Sequence, residues 1–506
     1  MSRRIQNPRL AARVTSADEA AALVPNGATL GLSGFTGCGY PKALGPALAR
    51  RAGAERAADR PFRLRILAGA STGPELDGAL AAEKAIAFRF PYQSDAALRA
   101  QINGGEVAYQ DLHLSHAGAL VRYGYYDPID FAIVEVTRVR EDGALVLSSS
   151  VGVTNVYLQR ARRIILEVNA WQDERLEGMH DVYDVAARHG ARVPIPIVRP
   201  DDRIGEPVVH VDLDRVVAVV ETDAPDVNAP FKAPADVHRR IAGHIIDFLD
   251  GEVRAGRIPR TLLPLQSGVG NIANAVLVAL NEGPFSDLTS YTEVIQDGML
   301  DLLDSGKLRV ASATAFAVSP EGQARFLRDL DRYRSQIILR PMDVSNHPEV
   351  IRRLGVISMN GFVEADVYGH VNSTHIIGKG MENGIGGSGD FARNAAYTIF
   401  MAPSTAKDGR ISSIVPFVSH VDHTEHDVMV IVTEWGLADL RGRSPREKAE
   451  LVIERCAHPD YRPVLRDYLR RAFAKPSAGR HEPQLLGEAF GFHTRYLETG
   501  DMRPKA

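Results

Sequence analysis

Two β-loop-α units follow each other directly near the start of the chain, and few folds accommodate that order. Strand-like residues 28–32 lead into a glycine-rich loop over 33–42 and then into a helix. The order repeats with a strand over 63–67, a loop of small residues over 68–74 and a helix over 76–87. Consecutive units of this kind predict an α/β fold with a mainly parallel sheet. Such loops also present backbone N–H groups to anionic ligands.

A proline-rich stretch divides the chain into two halves with the same α/β alternation. Residues 224–234 contain three prolines, which exclude regular structure, and a long helix is predicted over 235–256. A chain of 506 residues is too long for one ordinary hydrophobic core. We therefore predict an α/β domain over residues 1–228 and a second over 229–506, which ends in a helical appendage.

The composition excludes several classes of function. A net charge of −4 gives no general basic surface for nucleic acid or anionic lipid. No apolar run approaches the roughly 20 residues that span a bilayer, and no signal segment is recognisable, so we expect a cytoplasmic protein without membrane contact. The only cysteines, Cys38 and Cys456, show no metal-binding or disulfide spacing.

One acidic residue stands in a strand-like run in the second half. Residues 289–295 are rich in β-branched and aromatic side chains, and alternation places Tyr291, Glu293 and Ile295 on one face of the predicted strand. A short helix follows and ends before Gly306. Glu293 is then carried inward at a strand-to-helix corner, where α/β folds keep their sites. The alternative, an exposed Glu293, stays open on this stretch alone.

The rest of the second half gives further signals of local structure. Asn360-Gly361 predicts a hairpin between strands over 356–359 and 363–366, and a helix is expected over 392–398. The glycines of 384–389 match G-x-G-x-x-G, but no clean strand precedes them and no acidic residue follows at the required distance. They indicate close approach of the backbone to a ligand and do not indicate a dinucleotide site.

Two other candidate sites are rejected. The segment His420–His426 contains three histidines but lacks the H-E-x-x-H order, and strand alternation separates His420 from His423, so no metal is predicted. Ser71 lies in a small-residue loop without the G-x-S-x-G elbow, which argues against a serine hydrolase.

Several long motifs together closely resemble the acetyl-CoA hydrolase/transferase family of class I CoA-transferases. The similarity extends from about residue 5 to residue 498 and is closest to the succinyl-CoA:acetate CoA-transferase branch. The motifs are residues 33–42, 69–78, 265–274, 291–300, 343–346 and 384–391. The resemblance implies two similar open-sheet α/β domains facing across an active-site cleft, a homodimer, and Glu293 as the nucleophile.

The resemblance also implies the remaining site residues. Oxyanion and CoA-binding roles are expected for Val269, Gly270, Asn271, Lys379, Gly384, Gly386 and Gly387. The acyl carboxylate is expected to contact Ser71, Asn346 and Glu434. Coenzyme A is a substrate in this chemistry, and no separate cofactor or metal is expected.

The implied reaction exchanges CoA between an acyl-CoA and a small carboxylate. Attack by Glu293 on the thioester gives an acyl-glutamyl anhydride, and the released thiolate converts it to a glutamyl-CoA thioester. Two alternatives are an acetyl-CoA hydrolase using the same nucleophile and a catalytically silent CoA-binding protein. The linker carries Asp226, Val227 and Asn228 where succinate-binding relatives are expected to have a basic residue, and Trp435 replaces an expected smaller polar residue. We therefore expect monocarboxylates such as acetate and propionate in place of succinate.

Overall fold

The computed structural model describes residues 3–126, 128–185, 191–228, 233–475 and 481–504. Its strands, numbered in chain order, are β1 (Thr29–Leu32), β2 (Leu64–Leu67), β3 (Ile86–Phe90), β4 (Ala108–Tyr109), β5 (Phe131–Val139), β6 (Leu145–Leu147), β7 (Arg163–Asn169), β8 (Val216–Thr222), β9 (Leu265–Ser267), β10 (Leu288–Tyr291), β11 (Val294–Ile295), β12 (Leu308–Ala313), β13 (Ala315–Phe316), β14 (Ile337–Leu339), β15 (Ile357–Gly361), β16 (Glu364–Asp366), β17 (Val371–Asn372), β18 (His375–Ile376), β19 (Gly380–Met381), β20 (Tyr397–Met401), β21 (Thr405–Ala406), β22 (Ile411–Ser412), β23 (Ile414–Val415), β24 (Val430–Thr433) and β25 (Gly436–Asp439).

The α-helices are α1 (Pro8–Ala11), α2 (Ala17–Ala22), α3 (Leu44–Ala57), α4 (Ala79–Ala82), α5 (Ala96–Asn103), α6 (Leu114–Arg122), α7 (Thr154–Arg160), α8 (Asp236–Arg254), α9 (Asn271–Glu282), α10 (Asp297–Asp304), α11 (Pro320–Arg328), α12 (Leu330–Tyr333), α13 (Met342–Ser345), α14 (Pro348–Leu354), α15 (Ser388–Asn394), α16 (Pro445–Arg455), α17 (Arg462–Ala474) and α18 (Gly491–Thr499). A π-helical turn, Pro74–Gly78, precedes α4, and short 3-10 turns cover Glu174–Leu176 and Leu213–Arg215. No helix in the described ranges is both long and apolar enough to cross a membrane.

The chain forms two compact units, and each unit is assembled from three separate segments of the sequence. Unit 1 contains residues 1–230, 289–303 and 308–354, and unit 2 contains 231–288, 304–307 and 355–506. The predicted boundary at 228/229 lies close to the first crossing between units. It assigns Glu293 to the second domain, however, whereas the segments that include Glu293 cluster with the first part of the chain.

Unit 1 is built on an open, mainly parallel sheet. Its strand order is β4-β3-β2-β1-β5-β7-β8, all parallel, with β6 added antiparallel to β5. The central strand β1 is buried along its whole length, as expected for a parallel strand covered on both faces. Its Leu30 and Leu32 share a core with Leu44 and Leu48 of α3. The α/β fold class predicted from the sequence is confirmed.

Residues 289–303 and 308–354 complete unit 1 through backbone contacts with loops of the first sheet. Val151 N–H donates to the carbonyl of Thr314 at 2.9 Å, and Phe316 N–H donates to that of Ser149 at 3.2 Å. Further along, Leu339 forms a bridge with His180. Within this part, β12 pairs with β14 and β11 pairs with β13, both in parallel. These contacts attach the Glu293 segment to the region that follows β6.

In unit 2, five sheet strands lie side by side in the order β9-β15-β20-β24-β25. The first four strands are parallel to their neighbours, and β25 returns antiparallel to β24. The predicted long helix is present as α8. A second apolar core, built around Val371, Ile414 and Val415, joins the small strands after β15 to α16, α17 and α18. The carboxyl ends of β9, β15, β20 and β24 therefore lie at one edge of the sheet.

Two local predictions in this part of the chain are wrong. Asn360-Gly361 does not form a hairpin, because residues up to Gly361 belong to β15, which pairs in parallel with β9 and β20. The following strand β16 pairs instead with β17 and β23. The helix expected over 392–398 is α15, and it ends at Asn394 before β20. In each case long-range strand pairing outweighs the local turn or helix signal.

Candidate active site

Glu293 lies at a break between two short strands. The prediction of one continuous strand over 289–295 is wrong: β10 ends at Tyr291 and β11 begins at Val294. Thr292 N–H still donates to the carbonyl of Ser312 at 2.9 Å, but the carbonyl of Glu293 accepts N–H groups from both Thr314 (2.8 Å) and Ala315 (3.2 Å). The two N–H donors fix the backbone of Glu293 where it leaves the ladder, and its side chain is half-buried.

Asn346 is one residue that contacts the Glu293 carboxylate. Its Nδ2 donates to Glu293 Oε1 at 3.1 Å. Asn346 follows the buried turn α13, and its own N–H donates to the carbonyl of Met342 at 3.0 Å. Tyr291 Oη donates to the carbonyl of Val344 at 2.6 Å, so the turn is attached both to the end of β10 and to the break itself. Two predicted site residues are thereby brought into direct contact.

Ser71 belongs to the same unit and lies in the loop after β2. It is buried, and its neighbours are fixed by a buried ion pair between Asp77 and Arg89 at 2.8 Å. Arg89 Nη2 donates to the carbonyl of Ala70 at 2.7 Å, and Asp77 accepts the N–H of Thr72 at 3.2 Å. The Ser71 loop is held on both sides of the serine, which gives its hydroxyl a defined place at the carboxyl end of β2.

The loops after β1 and β2 approach each other closely. A Cβ added to Gly69 would lie 2.7 Å from the carbonyl oxygen of Gly34, a distance that real Cβ atoms do not show. Gly34 itself has φ +119, which favours glycine. The glycines of both loops are therefore required by packing in the folded chain.

In unit 2, Val269, Gly270 and Asn271 connect β9 to α9. Gly270 has φ +121 and is the N-cap residue of α9, while Val269 is 58% exposed. The first N–H groups of a helix have no partner within it. The start of α9 therefore presents backbone N–H donors just beyond the carboxyl end of β9. An exposed valine beside such donors is consistent with the predicted oxyanion or CoA-binding role, which stays a prediction.

Gly384, Gly386 and Gly387 lie together in the loop before α15, and all three are buried. Gly384 has φ +144 and Gly386 has φ +59, so both occupy conformations that favour glycine. Gly387 is the N-cap residue of α15. Because a crossover helix runs antiparallel to the strands it connects, this loop is expected at the same edge of the sheet as Val269.

Lys379 and Glu434 occupy two different hairpins of unit 2. Lys379 is exposed in the tight connection between β18 and β19. Glu434 and Trp435 form the turn between β24 and β25. Both carboxylate oxygens of Glu434 accept hydrogen bonds from Ser404, one from its N–H (2.8 Å) and one from its hydroxyl (2.6 Å). Trp435 Nε1 donates to the same Ser404 hydroxyl oxygen at 3.1 Å.

The linker residue Asp226 is part of a buried charge network. Lys42 Nζ lies 2.6 Å from Glu135 and 2.9 Å from Asp226, and all three side chains are almost fully buried. Glu167 is nearby and accepts the N–H groups of Lys42, Ala43 and Leu44, at the start of α3. Burial, with the neighbouring carboxylates Asp226 and Glu167, raises the pKa of Glu135 to about 7, against the attraction of Lys42. Asp226 is therefore engaged inside unit 1.

The histidine segment 420–426 does not form a strand, so the alternation expected for it is absent. His423 is buried, with Nε2 3.3 Å from the Ser388 hydroxyl, whereas His420 lies against His375 with the rings tilted by 33° and their centroids 3.9 Å apart. Across the described parts of the chain, no group of three or more His, Cys, Asp or Glu side chains is arranged to hold a metal ion.

Sequence reasoning did not single out Ser404, Tyr291 Oη or Ser345 as contributors to this region. Ser404 comes just after β20. Its position beyond the carboxyl end of a parallel strand is the sequence signal that could have identified it. Alternation identifies Tyr291 as an inward-facing residue, but its hydrogen-bonding partner is 53 residues away and carries no local sequence signal.

Family models match at both ends of the chain. The model of the acetyl-CoA hydrolase/transferase N-terminal domain matches residues 1–221, and that of the C-terminal domain matches residues 322–469. Among solved structures, RipA from Yersinia pestis superimposes with a TM-score of 0.70 at 25% identity, covering 92% of this chain and 98% of RipA. A 4-hydroxybutyrate CoA-transferase from Porphyromonas gingivalis, 24% identical, shares the fold with a TM-score of 0.62, covering 91% of this chain and 98% of that one.

Similar curated proteins include both transferases and hydrolases. A succinyl-CoA:acetate CoA-transferase from Clostridium kluyveri is 46% identical over 501 residues, which cover 99% of this chain and 92% of the relative. A propanoyl-CoA:succinate CoA transferase from Escherichia coli is 43% identical over 96% of this chain and 98% of its own. An acetyl-CoA hydrolase from Schizosaccharomyces pombe is 44% identical over 99% of this chain and 98% of its own.

Proposed function

Because the chain belongs to the acetyl-CoA hydrolase/transferase family, we propose that it is a CoA-transferase acting through a glutamyl-CoA thioester on Glu293. The proposed substrates are acetyl-CoA, succinyl-CoA or propionyl-CoA as donor and a small carboxylate such as acetate as acceptor. The observation that supports this proposal best is the contact between Glu293 Oε1 and Asn346 Nδ2 at a break in the strand. A half-buried carboxylate held there by a neutral amide is suited to nucleophilic attack.

The first half-reaction needs no proton transfer. A carboxylate oxygen of Glu293 attacks the thioester carbonyl carbon, the C–S bond breaks, and CoA leaves as a thiolate. The thiolate then attacks the glutamyl carbonyl of the resulting anhydride. The bond between the glutamyl carbonyl carbon and the bridging oxygen breaks, the donor acid leaves with that oxygen as a carboxylate, and Glu293 carries CoA as a thioester. An acceptor carboxylate reverses the two steps, which makes the kinetics ping-pong.

Each step places negative charge on a carbonyl oxygen, so two sets of hydrogen-bond donors are required. We assign one to the backbone N–H groups around Gly387, with Gly384 and Gly386 shaping the loop. The other is assigned to Val269, Gly270 and Asn271 at the start of α9, where N–H groups lack helical partners. Lys379 is proposed to contact CoA, and its exposed ammonium suits a phosphate group.

The acyl group is proposed to lie near Ser71, Asn346 and Glu434. Glu434 accepts two hydrogen bonds from Ser404 and is itself an anion, so it is suited to bounding the acyl site and not to direct pairing with a carboxylate. The linker has no basic residue over 224–228, and Asp226 pairs with Lys42 at 2.9 Å. On this basis we propose monocarboxylates such as acetate and propionate as the preferred pair.

A second candidate is acetyl-CoA hydrolase, which uses the same nucleophile with water as the final acceptor. The observation that favours it is the 44% identity to the hydrolase from Schizosaccharomyces pombe, close to the values for the two transferases. No cofactor beyond CoA as substrate is proposed. The homodimer and the cytoplasmic location expected from the sequence stay predictions.

The test is the intact mass of the protein after mixing with acetyl-CoA, followed by borohydride reduction and peptide mapping. A CoA adduct that disappears on adding acetate, with Glu293 reduced to the alcohol, is the expected result. Release of acetate into water at a steady rate without any adduct would favour the hydrolase. Comparable turnover with succinyl-CoA as donor would contradict the preference for monocarboxylates.

A further inference from the structure

We propose that Ser345 and the Arg122–Asp343 ion pair are positioning residues for Glu293, acting through the side-chain amide of Asn346. This inference rests on the proposed function, since it assumes that Glu293 is the nucleophile. All the residues concerned belong to unit 1. Asp343 and Ser345 lie in the motif over 343–346, but neither they nor Arg122 is among the site residues expected from the sequence.

The amide of Asn346 is held in one orientation. Its Nδ2 donates to Glu293 Oε1 at 3.1 Å, and its Oδ1 accepts the hydroxyl of Ser345 at 2.8 Å. A rotation of the amide by half a turn would direct Oδ1 at the carboxylate, oxygen against oxygen, and would lose the bond from Ser345. Both Ser345 and Asn346 are completely buried. Ser345 therefore selects the orientation in which Asn346 donates to Glu293.

The turn that carries this amide is attached to α6 by an ion pair. Arg122 Nη1 contacts Asp343 Oδ2, and the two side chains are only 5% and 7% exposed. Gly118 on α6 allows the close approach, because a Cβ there would lie 3.2 Å from the same Asp343 oxygen. Asp343 lies in α13, and Asn346 is the residue that follows this helical turn. A shift of Asp343 relative to α6 is thus transmitted to the amide.

Stability alone does not explain this pair. Removing two charges from water is costly, and the cost is recovered only when the pair satisfies its remaining donors and acceptors. Here Asp343 Oδ1 and Arg122 Nη2 are buried with no hydrogen-bond partner among the described residues. The closest other acid is Asp184, 3.9 Å from Arg122 Nη2. A single-contact buried pair is a weak stabiliser but a specific constraint on position.

The test compares single-turnover formation of the Glu293-CoA adduct in the full-length wild type, Ser345→Ala and Asp343→Asn. We expect the maximal rate to fall about tenfold or more, because small displacements of reacting groups are costly. The concentration of acetyl-CoA giving half-maximal rate is expected to change by less than about twofold, since the lost contact does not bind CoA. Ser412→Ala is the matched control, because its buried hydroxyl donates to a backbone carbonyl at 2.7 Å in unit 2.

A double variant, Arg122→Met with Asp343→Leu, separates positioning from folding. Replacing a buried ion pair by apolar residues often restores stability. We expect this variant to recover the melting temperature lost by Asp343→Asn but not the rate of adduct formation. Recovery of the rate together with the melting temperature would overturn the role of the ion pair. Wild-type rates in both Ser345→Ala and Asp343→Asn would overturn the whole inference while leaving the proposed function intact. Failure of the wild type to form an adduct would overturn both.

Discussion

Unit 1 buries carboxylates in two different ways. Around Lys42, the carboxylates of Glu135 and Asp226 lie within 2.9 Å of one ammonium, and Glu167 caps the start of α3 alongside. At the strand break, Glu293 is only half-buried, and the neutral amide of Asn346 donates a hydrogen bond to its carboxylate. A cation at contact distance withdraws charge from an attacking oxygen, whereas a neutral amide orients the carboxylate without bringing a positive charge to it. The first arrangement serves structure and the second suits reaction.

The comparison is tested most strongly by Glu293→Ala. We expect CoA transfer to fall by more than about 10⁴-fold, because the proposed nucleophile is lost. The rise in melting temperature on adding CoA should remain, since Glu293 is not proposed to bind CoA in the ground state. Steady-state rates and thermal denaturation with CoA check the two parts. Residual activity near the wild-type level would rule out Glu293 as nucleophile.

On the structural side, Lys42→Met should have a large effect on folding. It leaves Glu135 and Asp226 buried without their cation, which is expected to lower the free energy of unfolding by about 3–5 kcal/mol. Lys84→Met is the matched control, because the exposed Lys84–Glu106 pair is worth at most about 1 kcal/mol. Urea denaturation of both variants provides the measurement. Equal losses in the two would show that the buried network is no more important than a surface pair.

The amide at the strand break is tested by Asn346→Ala. Removing the donor should lower kcat by about 10²-fold, as is typical for a single preorganised hydrogen bond at a reacting group. The melting temperature should change much less than in Lys42→Met. Measuring kcat and KM for acetyl-CoA together with thermal denaturation distinguishes a catalytic role of Asn346 from a structural one. A large loss of stability with unchanged kcat would place Asn346 with the structural network instead.

The pH dependence of stability sharpens the contrast further. Burial raises the pKa of Glu135 from 4.5 to about 7, so the folded state holds a proton that the unfolded state releases. The resulting stabilisation is complete below about pH 4.5 and is lost as the pH rises through about 7. Relative to Glu135→Gln, the wild type should lose about 2–4 °C in melting temperature between pH 5.5 and 8. Parallel profiles for the two proteins would contradict the raised pKa.

The smallest expected effect concerns a third kind of carboxylate, Glu434, which is held by a backbone N–H and a hydroxyl. Trp435→Phe keeps the ring but removes the donor to Ser404, the residue that binds Glu434. Because the indole is 42% exposed, we expect a change of only about two- to threefold in the preference for acetyl-CoA over propionyl-CoA. Relative kcat/KM values measure it. An unchanged preference would remove Trp435 from the acyl site.

The elements that depend on local signals could be predicted from the sequence. The strand over 28–32, its glycine loop and the long helix after the proline-rich linker are present as β1, its loop and α8. Each combines hydrophobic periodicity with glycine or proline residues that mark where the element begins or ends. Glu293 also stands out in its local sequence, although the alternation that points to it runs along a strand that does not exist as one element.

The parts that sequence reasoning missed depend on distant partners. Glu293 leaves the ladder because Thr314 and Ala315 donate to its carbonyl, and nothing near residue 293 signals those donors. Asn360-Gly361 is a strong local hairpin signal, yet β15 continues through it because β9 and β20 flank it in parallel. The orientation of Asn346 is likewise set by Ser345 and Glu293 together. These features follow from tertiary pairing, which overrides local preference.

The discontinuous composition of unit 1 has a consequence for the order of events during synthesis. Some backbone groups of Ser149, Val151 and the region around His180 have their partners in residues 314–340. A nascent chain that has reached residue 230 therefore contains all strands of the first sheet but lacks these contacts. The contacts can form only after residues 231–288 of unit 2 have been translated. We expect a fragment ending at residue 228 to accumulate as an incompletely packed, protease-sensitive species, and the complete unit to form only after residue 354 has been made.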